Sequence, residues 1–132
     1  MRQEIFKSER YFTLFDIVIS HGQLLLRSQK NDINEKNIDI IFFDTTYIQT
    51  FSRLKGVCIS KIKNASDYIS YSTVQKYLEY DNNYLFEIES NNERYYIAAS
   101  FVRVFENQLD FNESSLNVEG GKENEIATSL AT

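Results

Sequence analysis

Asn37-Ile38-Asp39-Ile40-Ile41-Phe42-Phe43 is the most apolar stretch of the chain and the richest in β-branched and aromatic residues. It is too short for a helix of ordinary length, and it suits a strand covered on both faces. Ile38, Ile40 and Phe42 point one way, while Ile41 and Phe43 point the other. This reading makes it a central strand around which the domain packs.

Upstream, Tyr11–Ser20 and Gln23–Ser28 read as two strands broken by His21-Gly22, a hairpin signal. Met1–Arg10 reads as a short helix or an edge segment, and Gln29–Lys36 as a polar loop. Downstream, Asp44 marks a bend, and Tyr47–Thr50 and Val57–Ile62 have β character. Val74, Tyr77 and Leu78 recur at helical spacing, which predicts a helix over Ser72–Tyr80 ended by Asp81-Asn82-Asn83. Tyr84–Glu89 alternates cleanly, with Tyr84, Phe86 and Ile88 inward and Glu87 and Glu89 facing solvent. It pairs with Arg94–Phe105 around Asn91-Asn92, and the apolar phase of that second strand shifts near Ala98–Ser100, where a bulge is expected.

The expected class is therefore α+β with β dominant. It comprises about six or seven mainly antiparallel strands, able to curl into a partly open barrel, and one main helix. Residues 1–116 form the globular domain, and 117–132, with Gly120-Gly121 and a run of charged and small residues, a flexible tail.

Composition narrows the function without naming it. The 132 residues suit one domain, with 42% hydrophobic and 25% charged residues. Proline is absent, glycine numbers only 4, and turns must rely on Asn, Asp, Ser and His. A single cysteine, Cys58, excludes an intrachain disulfide and a cysteine cluster for metal. No apolar run approaches the length of a membrane span, and mixed charge follows Met1, so a cytoplasmic location is expected. The net charge of -5 opposes general nucleic-acid affinity and suits a basic protein partner.

Candidate chemistry centres on few residues. His21 is the lone imidazole, and its place in a Ser-His-Gly turn marks it first as a turn former. Asp39 interrupts the central strand much as Arg27 interrupts Leu24–Leu26 and Arg103 parts Val102 from Val104. A buried carboxylate needs a partner, so an ion pair of Asp39 with Arg27 or Arg103 is the structural expectation. His21, Asp39 and Arg27 lining a polar site is the functional one. Tyr68, Tyr71 and Tyr80, beside acidic Asp67 and Asp81, form a candidate docking surface, because tyrosine joins an apolar ring to a hydroxyl. No spacing indicates a metal site or a cofactor loop.

These features favour a small non-catalytic protein-binding module of bacterial type, for which an immunity- or antitoxin-like partner of a basic effector is one version. A small-ligand carrier with an interior pocket is the alternative, and an enzyme using His21 or Asp39 the third.

Overall fold

The computed structural model describes residues 2–62 and 83–130. The described residues form nine strands, all antiparallel, in one sheet: β1 (Arg2–Val18), β2 (Gln23–Ser28), β3 (Asn37–Phe43), β4 (Tyr47–Gln49), β5 (Arg53–Ile62), β6 (Tyr84–Ser90), β7 (Glu93–Ala99), β8 (Phe101–Asn107) and β9 (Asn124–Thr128). Among these residues the only helical element is a single 3-10 turn, Ile19–His21. Among the described residues the α+β assignment is thus corrected to an all-β architecture. The helix expected over Ser72–Tyr80 lies outside the described residues.

Two segments account for much of the difference. Arg2–Arg10, read as helix or edge, is the first half of β1, a strand of 17 residues. Straight, it would run about 56 Å, whereas a compact chain of this length has a radius of gyration of about 14 Å. Register shifts at Glu4/Phe6, Ser8/Tyr11 and Leu14/Asp16 bend it, so that it pairs first with β5 and then with β2. Asn124–Thr128, assigned to a flexible tail, pairs with β8 as β9.

The sheet runs β4-β7-β6-β5-β1-β2-β3-β8-β9. Only Ser100 separates β7 from β8, and β3 with β4 lies along both. Bonds from Ser100 N to Phe43 O and from Thr46 N to Ala98 O carry that ladder across the bend. The pairing therefore returns on itself through β1, β2, β3–β4, β7–β8, β6 and β5. Phe12, Leu24, Leu26, Ile40, Phe42, Phe86, Ile88, Ile97, Val102 and Val104 meet inside this ring, with Phe42 and Phe86 edge to face at 5.8 Å.

Local chemistry explains the turns. Asn91 and Asn92 both take positive φ, the backbone that a two-residue hairpin requires and that Asn tolerates. Gly22, at φ 62, lies so close to Asp44 and Thr45 that an added Cβ would sit 3.2 Å from their backbones. That approach lets Thr45 N donate to Gly22 O at 2.8 Å and joins the β1–β2 turn to the β3–β4 bend.

Candidate functional site

β3 is buried on both faces, as its composition requires, but its two faces meet different things. Ile38, Ile40 and Phe42 enter the interior. Ile41 joins Leu25 and Phe105 on the outer face, with Phe15, Phe43 and Leu116 packed against them. Leu116 belongs to a strap, residues 108–123, that leaves β8 and returns as β9.

Asp39 stands on this outer face opposite Arg27 in the β2–β3 ladder. Arg27 Nε donates to Asp39 Oδ1 at 2.6 Å and Nη2 donates to Oδ2 at 2.8 Å, a bidentate pair with both side chains at 0% exposure. The Arg27 guanidinium lies 4.1 Å from the centre of the Phe15 ring. Arg103, the other candidate partner, pairs instead with Glu125. Two buried charges lose much hydration, which such a pair recovers only when its remaining hydrogen-bonding capacity is also met. Here Asn107 Nδ2 donates to Asp39 Oδ2 at 2.9 Å, and Arg27 Nη1 donates to Glu113 O at 2.7 Å.

The same side chains hold the strap. Asn107 Nδ2 also reaches Gly121 O at 3.1 Å, Asn37 Nδ2 reaches Leu109 O at 2.9 Å, and Lys30 Nζ reaches Gln108 O at 2.6 Å. Asn37 Oδ1 accepts from Lys30 N, and Asn107 Oδ1 accepts from Asn37 Nδ2. Asn37 and Asn107 were missed at the sequence level. Asparagine at a strand end reads as turn chemistry, and nothing local shows that a distant carbonyl awaits its amide.

His21 lies elsewhere. It is exposed, and with Ser20, Asp44, Thr46, Asn83 and Ser100 it lines an open cleft of about 660 Å³. Asn83 Nδ2 donates to Thr46 Oγ1 at 2.6 Å and Ser100 Oγ donates to Asn83 Oδ1 at 3.1 Å, which ties the cleft floor together. Arg27 sits five residues along β2 from Gly22, about 17 Å for an extended chain. The structure therefore brings Asp39 and Arg27 together and leaves His21 apart from them. The interior position expected of a carrier pocket is occupied by the aliphatic and phenyl side chains named above.

A second carboxylate cluster went unrecognised. Glu87, expected to face solvent, is 2% exposed. It accepts from Arg94 Nη1 at 2.9 Å and from the Tyr96 hydroxyl at 3.3 Å, and it pairs with Arg2 at 3.3 Å. Burial, with the Glu87 carboxylate beside it, pushes the Tyr96 phenol above its ordinary range. Glu89 pairs with the other side of Arg94 at 3.6 Å and remains exposed to water. Cys58 is half-buried on β5, and burial together with Glu4 raises its thiol pKa and disfavours the reactive thiolate.

Tyr68, Tyr71, Tyr80, Asp67 and Asp81, the candidate docking residues, lie outside the described residues. Among the described residues no group of three or more His, Cys, Asp or Glu is placed to hold a metal, and no helix is long and apolar enough to cross a membrane. No family model, curated protein or solved structure matches this chain.

Charge distinguishes the strap and the strand ends that flank it from the rest of the molecule. Residues 106–125 carry six acids, Glu106, Asp110, Glu113, Glu119, Glu123 and Glu125, against one base, Lys122. That difference equals the net charge of -5 for the whole chain, and the remaining residues carry 13 charges of each sign. Phe111, within this acidic run, is 74% exposed.

Proposed function

We propose that the protein is a non-catalytic protein-binding module that docks a basic partner through the acidic strap. The observation that carries this reading is the gathering of the whole acidic excess on residues 106–125, a segment that also exposes the Phe111 ring. An exposed ring on an acidic segment suits a partner that offers an apolar pocket edged by Lys or Arg. Buried aromatics commonly anchor interfaces, and rim charge mainly sets encounter rate and salt dependence. An immunity- or antitoxin-like role toward a basic effector is one version, and a reducing cytoplasm fits the single, thiol-form cysteine.

The test is affinity capture from the native host with the wild type and two variants. Phe111→Ser removes the ring. Asp110→Asn/Glu119→Gln/Glu123→Gln removes exposed charge. The reading expects a basic protein on the wild type that elutes as salt rises. It also expects loss of about 30-fold or more in affinity for Phe111→Ser and a weaker salt dependence for the triple variant. Equal capture by all three proteins rejects the strap as the docking face.

A further inference from the structure

We propose that residues 108–123 form a strap that opens as one unit while the closed sheet stays folded, with Arg27, Asp39 and Asn107 acting as its clasp. The inference concerns the face used in the binding reading, but it requires no partner, so either can fail without the other.

Two observations carry it. The first is the kind of bond that holds the strap. Its own backbone bonds are local turns, Glu113 N to Asp110 O and both Asn117 N and Val118 N to Ser114 O. Its attachment to the sheet uses side chains: Arg27 on Glu113 O, Asn107 on Gly121 O, Asn37 on Leu109 O, and Ser114 Oγ on Asp16. Segments held by few side-chain bonds open locally at lower free energy than a continuous ladder.

The second is imperfect packing inside the strap. Ser115 is fully buried, and its Oγ has no protein hydrogen-bond partner. A buried hydroxyl left this way favours the opened state, where water reaches it.

Opening would lift Leu116 off Leu25, Ile41 and Phe105 and take the Glu113 carbonyl from the Arg27–Asp39 pair. The closed strap is therefore a cover over an apolar face. Gly121 is the point at which to pry it. An added Cβ there would lie 2.6 Å from Ser115 Cβ and 2.9 Å from Leu109 Cδ1, both within the strap and away from the interior.

Native-state amide hydrogen exchange tests the proposal on the full chain. In the wild type, the Asn117 and Val118 amides should exchange at least tenfold faster than Phe86, Ile88 and Ile97 in β6 and β7. Gly121→Ala and Asn107→Ala should each speed the strap amides by a further tenfold or more, and change the β6–β7 amides less than the strap. Strap and sheet amides exchanging at one common rate in the wild type would overturn the proposal without any variant. So would a parallel rise of both sets, or strap amides unmoved, in variants that fold.

Discussion

Asp39 and Glu87 make an instructive pair. Both are carboxylates on the outer face of a largely apolar strand, both are nearly inaccessible, and both accept from arginine. They differ in what surrounds the cation. Arg27 is as enclosed as Asp39, whereas Arg94 and Arg2 are 41% and 37% exposed. Enclosure on both sides removes water that could take over when one partner is lost. Exposure on one side leaves that water in place and screens the pair. The first cluster should therefore behave as one indivisible unit and the second as a graded contact.

The sharpest way to break this comparison is Asp39→Ala. It leaves a buried guanidinium without its carboxylate, and chemical denaturation should show a loss of about 3–5 kcal/mol. An unchanged midpoint would mean that Arg27 finds water or another acceptor, and the two clusters would then be alike.

Truncation after Val118 comes next. It takes Gly121 O from Asn107 and removes β9 with the buried Ser129, while Glu87 is untouched. A loss of about 2 kcal/mol, or roughly 6–10 °C in Tm, is expected. A flexible tail, the expectation from sequence, would leave Tm unchanged, so calorimetry on the shortened chain decides between them.

Glu87→Gln keeps the volume and some hydrogen bonding beside cations that water already reaches. Its cost should be about 1 kcal/mol, several-fold below that of Asp39→Ala. A cost equal to that of Asp39→Ala would show that exposure of the cation makes no difference.

The smallest effect is on alkaline pH dependence. Tyr96 and Cys58 both have raised folded pKa values, chiefly through burial. Between the ordinary and the raised values the folded chain keeps protons that the unfolded chain has lost. Their contribution is thus fully present below about pH 8 and declines as pH rises through 9 to 11. Denaturation midpoints measured across that range should fall, and Tyr96→Phe should flatten the decline. A flat wild-type profile would show that neither Tyr96 nor Cys58 is held above its ordinary pKa.

Much of the sheet was legible because its signals are local. Residues Asn37–Phe43 could be read as a doubly covered strand from seven side chains, and Asn91-Asn92 as a hairpin turn from backbone tolerance. Asp39 could be read as needing a cation because an apolar strand offers it no water. Glu87 was misread by the same logic: alternation tells which side of a strand a residue faces, and not whether that side is wet. Burial there depends on Arg2 and Tyr96, which come from other strands.

What the sequence determined by itself was the strand character of Asn37–Phe43 and Tyr84–Glu89, the turns at His21-Gly22 and Asn91-Asn92, and the acidity of residues 106–125. Each follows from the period of apolar residues, from φ preference or from a count of charges, all properties of neighbours in the chain. Tertiary structure alone decided that Asp39 takes Arg27 rather than Arg103, that β1 bends to serve two partners, and that Asn107 and Arg27 clasp a strap up to 86 residues away. A carbonyl carries no trace in its residue's name of which distant donor will reach it. Only the closing of the sheet, with β3 and β8 side by side, puts the amide and the guanidinium under the strap that they hold.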